Sequence, residues 1–190
     1  MSRSALEIRE ARPEDASDLL ALWKHAGRAE QPPARPVEEA TRALAHIAAD
    51  PDERMLVGLS DGRLVAGLHL RRAPLSPLHT ESVVHTSHLV VHPDCRRRGF
   101  ARAMLDAALA WAEEKDVSHV TAITSSNARD TNRFLARLGL GTAWTVRIGS
   151  TAAMRRKLTP EVMRPDARRQ LGRVLAQRRS IQRRALGEAE

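Results

Sequence analysis

The spacing of apolar residues along the chain predicts an alternation of strands and helices. Apolar positions recur with a helical period in residues 16–25, 37–49 and 100–114, and in the segment that ends at Gly139. Alternating or short continuous apolar runs predict seven strands, at residues 6–10, 54–59, 63–70, 82–91, 117–124, 144–148 and 152–158. The predicted order is therefore β-α-α-β-β-β-α-β-α-β-β.

The end of the chain differs in composition from the rest. Residues 158–190 contain eight arginines, no lysine and four acidic residues, so half of the net charge of +8 lies there. A narrow apolar stripe predicts an amphipathic helix that docks on the domain or on a second subunit. A nucleic-acid-binding arm is less favoured because this segment has no aromatic side chain to stack on bases, and a solvated end is the third interpretation. We expect a domain over residues 1–158 and an arginine-rich helical extension over residues 159–190.

Composition narrows the class of protein further. No apolar run approaches the ~20 residues of a membrane-spanning helix, and no signal peptide is visible, so we expect a cytoplasmic protein without membrane contact. Cys95 is the only cysteine, which excludes an internal disulfide and suits a reducing compartment. We interpret Cys95 as an exposed turn residue. The spacing of histidines predicts no metal site.

The stretch over residues 89–101, LVVHPDCRRRGFA, joins a predicted strand to a predicted helix through a basic turn. Free N–H groups at a helix start, together with the helix dipole, bind anions. Gly99 allows a ligand to approach the backbone closely, and Ala101 keeps the first helical turn slim. The G-x-x-x-x-G-K-[ST] and G-x-G-x-x-G sequences are absent. The stretch therefore predicts a site for another kind of phosphate-bearing ligand.

The hexapeptide Arg96-Arg97-Arg98-Gly99-Phe100-Ala101 resembles the [Q/R]-x-x-G-x-[G/A] signature of the GNAT N-acetyltransferases. Leu89-x-Val91-x-Pro93, residues 8–16 and residues 127–140 also resemble that family, in the right order, so the resemblance covers about residues 5–157. It implies an α/β fold with a mixed central sheet of about seven strands, a splayed fourth and fifth strand, and about four helices.

The resemblance also implies acetyl-CoA as cosubstrate, with no metal. The N–H groups of residues 97–102 would hold the pyrophosphate, and the N–H of Val90 or Val91 would contact the thioester oxygen. Two asparagines could bind pantetheine or act as helix caps. The candidate cofactor-binding residues are Leu89, Val90, Val91, Arg96, Arg97, Arg98, Gly99, Phe100, Ala101, Arg102, Asn127 and Asn132.

Two catalytic side chains of related enzymes are missing. Many family members use a tyrosine in the helix after the fifth strand as general acid, but this chain has no tyrosine and carries Leu135 there. A subgroup that acetylates protein N-termini has a glutamate on the fifth strand, where this chain has Ala122. The missing glutamate weighs against a ribosomal-protein N-terminal acetyltransferase of that type. Because the tyrosine is missing, we expect the CoA thiolate to leave without help from a side-chain acid.

The candidate base is His85, at the position on the fourth strand where another subgroup carries one. A histidine can accept a proton at neutral pH without tuning. Strand alternation predicts that His85 faces the same side as Leu89 and Val91, with His88 on the opposite side. A histidine that merely lies on the sheet is the alternative interpretation. Glu81, acting through water, is the second candidate base.

These observations predict an acetyl-CoA-dependent N-acetyltransferase that acetylates a primary amine by direct attack on the thioester. The acceptor is not readable from the sequence. One alternative is a non-catalytic acetyl-CoA-binding module for sensing or assembly. Another is a nucleic-acid-associated acetyltransferase that acts through the basic extension. A homodimer formed through the extension or the last strands is also open.

Overall fold

The computed structural model describes residues 6–25, 35–78 and 80–158. Two compact units are present, Met1–Thr142 and Ala143–Glu190. The strands are β1 (Glu7–Glu10), β2 (Glu53–Ser60), β3 (Arg63–Pro74), β4 (Ser82–Val91) and β5 (Val120–Ile123). The helices are α1 (Ala16–His25), α2 (Pro36–Ala49), α3 (Phe100–Glu114), α4 (Arg129–Arg137) and α5 (Thr151–Leu158).

The five strands form one mixed sheet in the order β1-β2-β3-β4-β5. The first four are antiparallel neighbours, whereas β4 and β5 run parallel. A parallel neighbour requires a crossover, and α3 supplies it. The turn between β2 and β3 has positive φ at Asp61 (54°) and Gly62 (76°), as a two-residue hairpin turn requires. The predicted α/β fold with a mixed sheet is confirmed.

Apolar side chains fill a core on each face of the sheet. On one face, residues from β2, β3 and β4 pack with α3, among them Leu68, Leu70, Val84, Met104 and Trp111. On the other face, strand residues pack with α1 and α2, among them Leu19, Leu22, Leu44, Val57 and Val90. The helical stripes predicted from the sequence are the surfaces that these helices bury.

A β-bulge in β4 corrects one prediction about the site. Gly67 on β3 pairs with Val90, but His69 pairs with Ser87, so β4 has one extra residue between them, and His88 has φ of +56°. The extra residue reverses the alternation. Leu89 and Val91 therefore pack on the α3 side, whereas His88 lies on the α1 side with its ring 5.3 Å from that of Trp23.

Consequently His85 does not share a face with Leu89 and Val91, and His88 does not lie opposite His85. Val84 is buried on the α3 side, so its neighbour His85 faces the α1 side, as do Ser87 and His88. Both predictions were wrong because alternation holds only in a strand without a bulge.

The predicted sixth and seventh strands are also corrected, since the described sheet has five strands. Residues 144–148 have no regular secondary structure, because a strand persists only when it is paired and the described residues of this unit offer no partner. Thr151–Leu158 is helical. Its alanines, methionine, arginines and lysine favour helix, and Ser150 Oγ accepts a hydrogen bond from the N–H of Ala153 at 3.2 Å. The extension predicted over residues 159–190 lies outside the described residues, and its boundary stays a prediction.

Candidate active site

A crevice opens where β4 and β5 cease to pair. The parallel ladder ends at the pair Ser87 and Ile123, and the remaining residues of β4 pair only with β3. This is the divergence of the fourth and fifth strands that the family resemblance implied. The crevice is lined by Thr86, Ser87, Leu89, Ala122, Ile123, Thr124, Thr131 and Leu135.

The crevice contains a polar atom that the protein itself does not satisfy. Thr124 Oγ1 is buried and has no hydrogen-bond partner among the described residues. Beyond Ser87, β4 pairs with β3 and has no pairing with β5. Buried polar groups normally have partners. An extended ligand with amide groups, such as the pantetheine of CoA, fits this set of donors and acceptors.

Helix α3 begins directly after the basic loop. Its first intrahelical bond runs from the N–H of Ala103 to the carbonyl of Gly99 at 3.0 Å, so the N–H groups of the preceding residues are free of helical acceptors. Arg97 and Gly99 have left-handed backbones, with φ of +62° and +87°. Arg96, Arg97, Arg98 and Arg102 are exposed. The loop therefore presents free N–H groups and guanidinium groups together, which suits a pyrophosphate.

Two side chains of this region are packed in the core and are not on the surface. Phe100 is buried against Val65, and so is Cys95, which is 8% exposed. The interpretation of Cys95 as an exposed turn residue was wrong. Its turn, Pro93–Cys95, lies inward because His92 N–H donates to the carbonyl of Val65 at 2.8 Å and holds the end of β4 against β3.

Helix α4 forms the other wall of the crevice. It ends in a left-handed Gly139, with N–H bonds from Gly139 to Ala136 and from Leu140 to Leu135, the pattern of a Schellman cap. This cap fixes Leu135, which is buried and lines the crevice. The position at which related enzymes carry tyrosine therefore does face the crevice, but it offers no proton.

The two predicted asparagines lie at the start of α4. Asn132 Nδ2 donates to the carbonyl of Ser125 at 3.0 Å, and the N–H of Asn127 donates to Ser125 Oγ at 3.3 Å. Both residues thus organise the loop that leads from β5 into α4. A role for them in ligand binding stays a prediction.

The two predicted bases are in different settings. His85 is half-buried, and its Nδ1 lies 2.9 Å from Thr121 Oγ1 on β5. Glu81 is exposed before β4 and accepts a hydrogen bond from Ser118 Oγ at 3.3 Å. Only His85 lies within the sheet near the crevice residue Ser87.

A polar row that sequence reasoning missed crosses the α1 side of the sheet. His69 Nδ1 lies 3.1 Å from Ser87 Oγ, and His69 Nε2 lies 3.9 Å from Glu53 Oε2. Burial lowers the pKa of His69, with Arg71 acting in the same direction and Glu53 opposing it. The polar residues Glu53, His69 and Ser87 were visible in the sequence, but their alignment across three strands depends on register.

The profile of the acetyltransferase (GNAT) family matches residues 17–140, which include the crevice, the basic loop and α3. The chain belongs to the GNAT acetyltransferase family. A search of curated proteins by sequence finds no match.

Solved structures of GNAT acetyltransferases share the fold at low identity. A ribosomal-protein-alanine N-acetyltransferase from Brucella melitensis biovar Abortus 2308 has a TM-score of 0.62 and 23% identity, over 77% of this chain and 99% of its own. An aminoglycoside N-acetyltransferase in complex with CoA has a TM-score of 0.64 and 16% identity, over 78% of this chain and 95% of its own. A structure described as a transcriptional regulator from Bacillus halodurans C-125 has a TM-score of 0.68 and 17% identity, over 77% of this chain and 100% of its own.

Two features are absent from the residues that the structure describes. Among their helices, none is long and apolar enough to cross a membrane. In the same parts of the chain, no three His, Cys, Asp or Glu side chains are grouped so that they could hold a metal ion.

Proposed function

We propose that this GNAT acetyltransferase transfers the acetyl group of acetyl-CoA to a primary amine. The observation that carries the proposal is the continuity of the site. The crevice at Ser87 and Thr124 follows the part of β4 that does not pair with β5, toward the free N–H groups at the start of α3. A ligand with an extended amide chain and a pyrophosphate matches both ends.

The basic loop is proposed to supply most of the affinity. Each hydrogen bond to a charged group contributes roughly 1.5–3 kcal/mol, so three or four N–H groups suffice for micromolar binding. The guanidinium groups of Arg96, Arg97 and Arg98 would add charge close to the phosphates. Gly99 is proposed to keep the backbone open to them, since a Cβ built there meets no protein atom within 4 Å.

The chemistry is proposed to be a direct attack of the amine on the thioester that acetyl-CoA supplies. The backbone N–H of Val91, beyond the end of the β5 ladder, is proposed as the donor to the thioester oxygen, because the N–H of Val90, like that of His92, points toward β3. Leu135 lines the crevice and has no proton to give, so the thiolate would leave unprotonated by this helix. A side chain has to take the proton of the amine, and His85, on the α1 side of the sheet, is the candidate predicted from sequence.

Calorimetric titration with acetyl-CoA tests the proposal. We expect low-micromolar binding by the wild type and at least a hundredfold loss in Gly99→Glu, because the added carboxylate faces the phosphates. Gly62→Glu is the matched control, since Gly62 is also exposed and left-handed, at φ +76°. Equal binding by wild type and Gly99→Glu, or none by either, would contradict the proposal.

The acceptor can then be sought by the release of CoA thiol with a panel of amines. Because the similar structures include enzymes described as aminoglycoside and ribosomal-protein-alanine acetyltransferases, the panel contains kanamycin and a peptide with N-terminal alanine. L-Lysine and spermidine extend it to small amines. Tight binding of acetyl-CoA without turnover of any amine would favour the non-catalytic alternative.

A further inference from the structure

Ser87 lies between two imidazole rings on the α1 side of the sheet. Its Oγ is 3.1 Å from Nδ1 of His69, the residue directly opposite it on β3, and 2.9 Å from Nδ1 of His88, its neighbour in β4. Ser87 also lines the crevice between β4 and β5. Ser87 thus lies where the proposed thioester site adjoins the polar row that leads to Glu53.

The single hydroxyl proton of Ser87 fixes which way the hydrogen bonds in this row run. A serine hydroxyl has one proton, so it donates to only one of the two rings and accepts from the other. Nε2 of His69 faces the carboxylate of Glu53 at 3.9 Å, which favours a proton on Nε2 and leaves Nδ1 as acceptor. Ser87 therefore donates to His69, and His88 Nδ1–H donates to Ser87.

The surroundings of His69 suit a proton acceptor. Its burial lowers its pKa, so the ring is neutral at pH 7 and ready to take a proton. Glu53 raises that pKa and would stabilise the imidazolium once formed, whereas Arg71 lowers it. Arg71 Nε also lies 3.3 Å from Glu53 Oε1, which holds the carboxylate in place beside the ring. On the same face, β4 carries two further titratable side chains, His85 opposite Arg71 and His88 beside Ser87.

The backbone at His88 is an independent indication. A non-glycine residue with φ of +56° in a strand is strained, and such strain is found preferentially at functional sites. Here the strained bulge puts consecutive side chains, Ser87 and His88, on one face of the sheet, which a regular strand does not allow. The ring of His88 is held by Trp23 at 5.3 Å.

We propose that Ser87, His69 and Glu53 form a relay that removes the proton of the attacking amine. The inference rests on the function proposed above and adds the path of the proton to it. As the new C–N bond forms, the C–S bond of the thioester breaks and its electron pair leaves with sulfur as CoA thiolate. The proton of the amine passes to Ser87 Oγ while the proton of Ser87 passes to His69 Nδ1. Ser87 is the catalytic residue, and His69 and Glu53 act through it.

Kinetics with the panel amine that turns over fastest test the relay. We expect Ser87→Ala and His69→Gln to lower kcat about a hundredfold, the lower end of the range for general-base catalysis, with no change in the KM for acetyl-CoA. Ser87→Thr, which keeps the hydroxyl, should recover much of the loss. If the role of Ser87 were purely structural, Ser87→Ala would instead change the KM for acetyl-CoA as well as kcat, and it would lower the stability of the protein.

The relay also predicts shifts of opposite direction in the pH profile of kcat/KM. We expect its acid limb to move to lower pH in Glu53→Gln and to higher pH in Arg71→Gln, because Glu53 raises and Arg71 lowers the pKa of His69. The rival is His85. An acid limb that shifts with His85→Gln and stays fixed in the Glu53 and Arg71 variants overturns the relay.

A measurement without any acceptor separates this inference from the proposed function. In protein labelled with 15N-histidine, we expect the His69 ring to carry its proton on Nε2 and to titrate at lower pH in Glu53→Gln than in wild type. A proton on Nδ1 of His69 overturns the relay even if acetyl-CoA binds. Loss of acetyl-CoA binding in the calorimetric experiment overturns the proposed function and leaves the tautomer measurement interpretable.

Discussion

Arg63 donates a hydrogen bond of 3.0 Å to Nε2 of His92, which joins the start of β3 to the residue just after β4. His92 is only 8% exposed, and the basic loop follows it directly. Since a guanidinium group only donates, Nε2 of His92 must be the accepting ring nitrogen. This contact holds the base of the loop that is proposed to bind pyrophosphate.

We expect Arg63→Met to leave a buried acceptor unsatisfied. The loss should be about 1–2 kcal/mol in the free energy of unfolding, together with a weaker affinity for acetyl-CoA because the loop is less fixed. Urea denaturation and calorimetry measure the two effects. Arg42→Met on the exposed surface of α2 is the control and should change neither. Unchanged stability of Arg63→Met would show that the contact does not hold the loop.

Gly99 and Gly62 allow backbone strain to be separated from ligand binding. Both are left-handed, and a Cβ at either meets no atom within 4 Å. We expect Gly99→Ala and Gly62→Ala to lower stability by a similar amount, about 1 kcal/mol each. Only Gly99→Ala should weaken acetyl-CoA binding, by at least tenfold, as measured by calorimetry. Equal affinities in the two variants would mean that phosphates do not approach Gly99.

Arg97 combines a strained backbone with a charge in the loop. A φ of +62° costs less conformational energy in glycine than in arginine, so we expect Arg97→Gly to be as stable as the wild type or slightly more stable. Acetyl-CoA affinity should nevertheless fall about twofold to fivefold, and its dependence on salt should decrease, because an exposed ion pair is worth about 0.5–1 kcal/mol. Asp116→Gly, at φ +52° beyond α3, is the control for the backbone effect and should leave binding unchanged. If Arg97→Gly bound acetyl-CoA as tightly as the wild type, the Arg97 side chain would not contribute to the site.

Asp15 should make the stability of the domain depend on pH. It accepts two hydrogen bonds from Arg9, at 2.7 and 2.9 Å, and one from the N–H of Arg12 at 2.7 Å. The Arg9 hydrogen bond is the main cause of a pKa for Asp15 below its usual value of 3.8. The stabilisation is therefore fully present above pH 3.8 and is lost as the pH falls through the lower folded pKa.

We expect Asp15→Asn to be about 1–2 kcal/mol less stable than wild type at pH 7, and the difference to shrink below pH 3.8. Urea unfolding across pH 2–7 measures it. Glu14→Gln removes the same charge from an exposed neighbour and should change stability little at any pH. A difference for Asp15→Asn that is constant with pH would contradict the assignment.

Much of the first unit was predictable because its signals are local. Helical and strand periods placed four helices and five strands, and Gly62, Gly99 and Gly139 each stand where the backbone is left-handed. The basic loop before α3 was predictable for the same reason. A strand end, a glycine and a helix start are all encoded within about a dozen residues.

Interactions between distant segments were not predictable in this way. Cys95 is buried because the turn that carries it folds back against Val65, and the polar turn sequence gave no sign of that. The predicted strands after residue 143 failed because a strand depends on a partner, while the propensity of Thr151–Leu158 for helix needs none.

The sequence by itself therefore determined the family's fold, the basic loop and the absence of a tyrosine acid. Only the tertiary structure decided which side chains meet at the crevice. His69 and Ser87 are 18 residues apart in the chain, and Glu53 comes from a third strand. Their meeting depends on sheet register. The single extra residue at His88 then decides the face of Leu89 and Val91, because a shift of one residue moves every later side chain of a strand to the other face.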